Sequence, residues 1–215
     1  MIDVRMFTVG PVQENCFIVR RPGAERAVVV DPGDEAERLL EALGKLGVET
    51  VEAILITHTH FDHIGAVAPV ARATGAPVYC PKLETQVLAN IMDYVPWPGF
   101  GPFESYQADH AVAGGETLEL ADLTLEVLFT PGHSPGHVTY ALAAERALFS
   151  GDVLFQGSVG RVDLPGGDWA TLLDSIESLL ERFPAETTVY PGHMAITTLG
   201  RERASNPYLR ELAQR

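Results

Sequence analysis

Cysteine is nearly missing from this chain. Only Cys16 and Cys80 occur, far apart and outside any CxxC pair. That excludes a disulfide framework and a thiolate zinc site. Positive charge is scarce as well. Fifteen Lys and Arg face 29 Asp and Glu, a formal net charge of -14, and no Lys/Arg run interrupts the acidity. Such a surface repels phosphate backbones, so no nucleic-acid partner is expected and a nuclease is disfavoured. No apolar run reaches the length of a membrane span, and the opening MIDVRMFTVG lacks the charged-then-apolar order of a signal peptide. The expectation is a cytoplasmic chain with no membrane partner. Repeats and linkers are also lacking, so residues 1–215 read as one domain. At 46% hydrophobic residues, disorder is not expected and an ordinary core is.

The pattern alternates strands and helices. MIDVRMFTV, NCFIVRR and ERAVVVD read as three strands separated by turn residues. DEAERLLEALGKLG carries apolar residues at helical spacing, with Gly47 as a stop. VEAILIT reads as a strand, HIGAVAPVARATG as a helix, APVYC as a strand and PKLETQVLANIM as a helix. DYVPWPGFGPFESYQADH, residues 93–110, has too much Pro, Gly and aromatic character for either form and reads as a long loop. A hairpin is expected to turn near Ala121-Asp122, and a strand pair near Ala144-Glu145. DWATLLDSIESLLERF is the clearest amphipathic helix, with Asp168 as its N-cap. TTVYPGH is a late strand, and the tail from Thr198 is helical in parts.

What the chain does have is histidine in one place. Three of its seven histidines, His58, His60 and His63, fall within HTHFDH, with Asp62 between them. This segment follows the strand AILIT. Other strands likewise run into PGHSPGH with His133 and His137, GD with Asp152, PGH with His193, and DPGD with Asp31. Pro and Gly end a strand and let the next side chain turn inward. One sheet edge is therefore expected to carry the chemistry. His58 and His60, two apart in extended chain, project to one side. Imidazole and carboxylate are donors to divalent transition metals, and one metal needs three or four of them. His58, His60, Asp62, His63, His133, Asp152 and His193 are too many for one closed site, and two adjacent metals fit better. Asp31 reads either as a turn former or as an acceptor orienting a ligand. His137 reads as support behind the ligands or as local packing, and His110 as a surface residue within the long loop.

Taken in order, THTHFDHIG, TPGHSPGH, SGD and YPGH resemble the metallo-β-lactamase fold superfamily, and within it the glyoxalase II group, the hydroxyacylglutathione hydrolases. The resemblance runs from VVVDPGD to TTLGRERASNPYL. It implies an α/β fold, a four-layer αβ/βα sandwich of two mixed β-sheets with helices outside and metals at the sheet edge. It also implies His58, His60 and His133 on a first metal, Asp62, His63 and His193 on a second, and Asp152 bridging both. Asp62 and Asp152 are the catalytic carboxylates of that scheme. Only about twenty residues follow His193, so the helical domain of full-length members is not expected, and the chain resembles the short bacterial form. Met194-Ala195 stand where relatives often have Gly-Pro.

The implied reaction is hydrolysis of a small-molecule thioester, S-D-lactoylglutathione or a related acylglutathione. Two divalent ions, zinc by default with iron or manganese compatible, would generate hydroxide beside the carbonyl and stabilise the oxyanion. A thiolate leaves readily, so no strong general acid is required. Arg161, in FQGSVGRVDLPGG, is the cation placed to meet an anionic substrate, unless it pairs with Asp163 or Asp168 and only holds the loop. The aromatics Tyr94, Trp97, Phe100 and Tyr106 read either as a wall for the acyl group or as core packing. The main rival is a mononuclear-iron persulfide dioxygenase, since GRVD, Gly160 to Asp163, resembles a stretch of that group. A lactonase or β-lactamase activity and a structural metal-binding module are further alternatives. The module would close its sites with protein ligands, whereas this set leaves room for solvent. A homo-oligomer is compatible with the sequence.

Overall fold

The computed structural model describes residues 1–95 and 97–210. Its first half-sheet begins with three antiparallel strands, β1 (Asp3–Val9), β2 (Glu14–Arg20) and β3 (Arg26–Val30). Helix α1 (Ala36–Lys45) then crosses over to β4 (Thr50–Leu55), parallel to β3. Helices α2 (Phe61–Ile64) and α3 (Val67–Thr74) lead to β5 (Val78–Pro81), and α4 (Thr85–Ala89) precedes β6 (His110–Val112). Both β5 and β6 continue the parallel part, giving the order β1-β2-β3-β4-β5-β6.

The second sheet collects β7 (Thr117–Leu120), β8 (Leu123–Phe129), β9 (Val138–Leu142) and β10 (Ala147–Gly151) as an antiparallel meander. After a short ribbon, β11 (Leu154–Phe155) and β12 (Ser158–Val159), helix α5 (Trp169–Arg182) returns the chain to β13 (Thr188–Pro191), parallel to β10. The edge strand β14 (Thr197–Thr198) and α6 (Leu199–Ser205) follow.

Burial explains the layering. β2 is buried along its whole length, so both its faces are covered. Phe17 and Val19 point into the space between the sheets, where they meet Tyr140 and Phe149 of the second sheet. Cys16 and Ile18 point the other way, into a core shared with Leu39 and Leu43 of α1 and Val67 and Val70 of α3. On the far side, Ala141, Leu148 and Val189 pack under Leu172, Ile176 and Leu179 of α5 and Leu199 of α6. The result is helix, sheet, sheet, helix: a four-layer αβ/βα sandwich of two mixed sheets. Strands covered on both faces read as continuous apolar runs, as AVVV and AILI do.

The turns follow the sequence closely. Ala121 and Asp122 both take positive φ, 51° and 58°, as a two-residue hairpin of this twist requires. Asp168 caps α5 by accepting from Thr171 N at 2.8 Å.

Elsewhere the expectations need correction. The helix expected over HIGAVAPVARATG is two pieces, because Ala66 N leaves the helical ladder and donates to the Pro32 carbonyl at 3.0 Å. Gly65 beside it has no room for a Cβ, which would come within 2.4 Å of the Gly33 carbonyl. PKLETQVLANIM breaks into α4 flanked by 3-10 turns. His110 is not part of the long loop. It opens β6, opposite Tyr79 of β5, and stacks on the Tyr79 ring with centroids 4.4 Å apart. It is exposed, at the end of the sheet. The stretch after Asp152 is partly a ribbon rather than a glycine loop. Residues 211–215, which end the tail read as partly helical, lie outside the described residues, as does Pro96 of the long loop. No described helix is long and apolar enough to cross a membrane.

Removing the α5 cap by Asp168→Ala is expected to cost about 1 kcal/mol of stability. Urea denaturation should show this with metal content unchanged, because Asp168 lies outside the His/Asp cluster described next.

Candidate metal centre

The C-terminal ends of β3, β4, β8, β10 and β13 open onto one edge of the sandwich. Asp31 follows β3, the segment from Thr57 to His63 follows β4, His133 follows β8, Asp152 follows β10 and His193 follows β13. The structure brings all seven candidate donors together. His58 Nε2 lies 3.1 Å from His60 Nδ1 and 3.2 Å from His133 Nε2, and His60 Nδ1 lies 2.9 Å from His133 Nε2. Asp62 Oδ2 lies 3.2 Å from His193 Nε2 and 3.8 Å from His63 Nε2. Asp152 stands between the two groups. Its Oδ1 is 3.4 Å from His63 Nε2, and its Oδ2 is 3.5 Å from His133 Nε2 and 3.6 Å from His193 Nε2.

The opposite nitrogens decide what those atoms are. His133 Nδ1 lies 2.7 Å from the Arg161 carbonyl, and His193 Nδ1 lies 3.2 Å from the Gln13 carbonyl. A carbonyl only accepts, so both Nδ1 atoms donate, and each ring turns Nε2 inward, where it offers a lone pair in the metal-binding form. Thr57 Oγ1 donates to Asp31 Oδ2 at 2.6 Å and so receives the N–H of His58 Nδ1 at 3.2 Å. His63 Nδ1 donates to the same Asp31 oxygen at 3.1 Å. His58 Nε2 and His133 Nε2 therefore face each other lone pair to lone pair. His63 Nε2 and Asp152 Oδ1 are buried with no hydrogen-bond partner. Facing lone pairs repel and orphaned buried polar atoms are costly, unless a cation sits among them. The donor set therefore fits divalent metal ions. His58, His60 and His133 form one trio of converging donors, and Asp62, His63 and His193 another.

Protonation fits the same picture. Burial, then the surrounding imidazoles, push His58 well below the ordinary histidine range and His60 down to about 4, so both are neutral donors. Burial alone would raise the Asp152 carboxyl, but the imidazoles of His193 and His63 outweigh it and hold it ionised. Burial opposes charge on His63 and His193, yet Asp152 and Asp62 raise both. Metal binding would displace those protons.

His137 does not reach the donor trios. Its Nε2 accepts from Asp152 N at 3.1 Å, which fixes the proton on Nδ1, 3.1 Å from Thr130 Oγ1. It thus holds the Asp152 backbone in place, and its ring stacks on His58 with centroids 5.0 Å apart. Asp31 is more than a turn former, since it takes Thr57 N at 2.7 Å in addition to Thr57 Oγ1 and His63. Arg161 turns its guanidinium to Asp163, with both contacts at 2.6 Å, and stands over the Trp97 ring at 5.8 Å. Its contribution to the cluster is the carbonyl that holds His133.

Three further residues escaped sequence reasoning. Glu84, buried, accepts from Thr59 N and Oγ1 and from Ser134 Oγ and Gly136 N, all within 2.9 Å. It ties HTHFDH to PGHSPGH. Asn15 Nδ2 donates to the carbonyls of Pro191 and Met194 at 3.0 Å and 2.8 Å, which holds the His193 turn. Glu14, fully buried, places Oε1 3.7 Å from His63 Nδ1, and burial pushes its carboxyl well above the usual range. No spacing rule marks a lone Glu in PKLETQ. Glu14-Asn15, by contrast, starts a strand antiparallel to β3, so its N-terminal end shares the edge where β3 delivers Asp31. Close approach also dictates Gly192, where a Cβ would stand 2.3 Å from Asp152 Oδ1.

Comparison with known proteins agrees with this geometry. The metallo-beta-lactamase superfamily profile matches residues 9–193, and the chain belongs to that superfamily. The probable metallo-hydrolase YqgX of Bacillus subtilis is 39% identical over 210 residues, covering 95% of this chain and 96% of that protein. The hydroxyacylglutathione hydrolase GloC of Haemophilus influenzae is 32% identical over 210 residues, covering 97% and 98%. Among solved structures, the BLEG-1 B3 metallo-beta-lactamase is 40% identical with a TM-score of 0.90, covering 97% of this chain and all of that one. TTHA1623, solved in a di-iron-bound form, is 40% identical with a TM-score of 0.74, covering 95% of this chain and all of that one. ETHE1 from Myxococcus xanthus is 26% identical with a TM-score of 0.76, covering 95% of this chain and 83% of that one. The fold implies divalent metal ions.

Two outcomes are expected. Asp31→Asn should weaken metal binding by about 10- to 100-fold, since an orienting partner of His63 and of Thr57 is impaired. Competition against a chromophoric chelator reads this directly, and unchanged affinity would remove Asp31 from the centre. Under the same assay His193→Ala should lose metal and His110→Ala should not.

Proposed function

We propose that this protein is a binuclear metal-dependent hydrolase that cleaves an acyl thioester, with an acylglutathione such as S-D-lactoylglutathione as the leading candidate. The observation that carries the reading is the pair of converging donor trios with Asp152 between them. His58, His60 and His133 would hold one ion and Asp62, His63 and His193 the other, with Asp152 within reach of both. Such ions, when bound, acidify water, polarise a carbonyl and offset oxyanion charge. Zinc suits the donors, and iron, as in the di-iron neighbour, suits them as well.

The protein's own groups do the positioning. Asp31, the Arg161 carbonyl and the Gln13 carbonyl lock the imidazoles so that their lone pairs stay aimed inward. Asp62, which would also hold the second ion and keeps 15% of its side chain exposed, is the carboxylate that would accept a proton from the attacking water. Water adds to the thioester carbonyl, the C–S bond breaks, and a carboxylic acid and a thiol are released. Nearly every other titratable group at the edge is committed to the ions, so no side chain is left as a strong general acid. That supports a substrate whose leaving group departs without one, as a thiolate does. The likeness to GloC over nearly the whole chain supports the same reading.

The likeness to ETHE1 and the position of GRVD, whose Arg161 carbonyl holds His133, favour a second reading, a persulfide dioxygenase with one iron. One set of measurements separates them. On purified protein, two metal equivalents with acylglutathione hydrolysis are expected. One iron, with oxygen uptake on glutathione persulfide and no hydrolysis, would support the alternative. Asp152→Ala should reduce metal content and lower kcat by at least about a hundredfold while the circular dichroism spectrum is retained. Full metal loading and activity in that variant would overturn the assignment of Asp152.

A further inference from the structure

A cleft of about 380 Å³ opens beside the metal centre, between the β1–β2 turn and the aromatic segment 99–103. Asp62 and Phe61 of α2 form part of its wall, so the helix that supplies Asp62 to the donor cluster also bounds the cleft. Most of the other lining side chains are apolar, while carboxylates and exposed backbone supply about half of the surface. Val12 lies on one side and Phe100 and Phe103 on the other, and both rings lie against Phe61, with centroids 4.8 Å and 5.8 Å away. No Lys, Arg or His lines the cleft among the described residues. Its polar edge is Asp34 and Glu35, and Glu35 is already engaged by Gly10 N at 3.0 Å and Arg38 at 2.7 Å.

Shape and charge select the occupant. A pocket of this size holds several heavy atoms more than a lactoyl group offers. With no cation on its walls and the carboxylates of Asp34, Glu35 and Asp62 among them, the cleft repels an anionic substituent, while Val12, Phe100 and Phe103 give an uncharged one apolar contact. Glutathione, with its carboxylates, is therefore the wrong half of a thioester for this cleft, whereas an uncharged acyl group is the right one. On the thioester-hydrolase reading above, we infer that the cleft is the acyl subsite, and that the protein prefers thioesters of bulky, uncharged acyl groups, aromatic or branched, over small or carboxylated ones. Phe100 and Phe103 then serve as acyl wall as well as core packing.

The test uses metal-loaded protein and glutathione thioesters of acetyl, butyryl, phenylacetyl and succinyl groups. The kcat/KM for phenylacetyl is expected to exceed that for acetyl by at least about tenfold, and that for butyryl to exceed succinyl by a similar factor. Val12→Trp should lower the phenylacetyl-to-acetyl ratio by about tenfold, and Asp34→Asn should narrow the butyryl-to-succinyl gap. A flat series, or equal losses on all substrates in Val12→Trp, would overturn the assignment of the cleft. A second readout is independent of turnover. Phenylacetamide should shift the NMR signals of Val12 and Phe103 in wild-type protein and leave those of Phe103 unshifted in Val12→Trp. If phenylacetamide binds there while no thioester is cleaved, the cleft stands as a subsite and the thioester reading falls. If phenylacetamide does not bind, the cleft assignment falls even where thioesters are cleaved.

Discussion

Imidazole lone pairs aimed at one another are the constraint on which the rest of this structure depends. His58 Nε2 and His133 Nε2 stand 3.2 Å apart, each with its N–H committed elsewhere. A cation among His58 Nε2, His133 Nε2 and the nearby His60 Nδ1 turns that arrangement from repulsive to favourable. The fold spends its most rigid parts on it. Four strand ends deliver the donors and a fifth, β3, delivers Asp31, and the paired strands leave those ends little freedom. The glycines at the edge are there because the donors crowd the backbone, as the 2.3 Å approach of a Gly192 Cβ to Asp152 Oδ1 illustrates.

A second tier of groups converts crowding into geometry. Asp31 gathers Thr57 and His63, and through Thr57 it reaches His58. His137 fixes the Asp152 backbone, and Glu84 binds the two histidine-bearing loops to each other. Each of these groups is buried, so each substitution would leave unpaired polar atoms behind. These hydrogen bonds orient the donors, as the groups behind the ligands do in a metal site.

Much of this was legible in the sequence, for physical reasons. Strand ends show because apolar runs stop at Pro, Gly and Asp, and the donors show because HTHFDH and two PGH segments occupy those stops. The hairpin at Ala121-Asp122 and the cap at Asp168 are local features, and both appear where the pattern sets them. What was hidden depends on contacts between distant segments. Glu84 sits 25 residues from Thr59 and 52 from Gly136, and nothing near it in sequence marks it. The break after Gly65 comes from the Pro32 carbonyl, which takes Ala66 N, and His110 was lost to the loop because its strand partner, Tyr79, lies far back in the chain. Arg161 pairs with Asp163, one of the two readings its charge allowed, but the use of its carbonyl on His133 was not legible.

The central claim is that two ions share this edge through Asp152. Anomalous diffraction from crystals of the metal-loaded protein tests it most directly. The account predicts two peaks, one enclosed by His58, His60 and His133 and one by Asp62, His63 and His193, with an Asp152 carboxylate oxygen directed at each. A single peak at full metal loading, or a peak among Glu14, Asp31 and His63 instead, would contradict it.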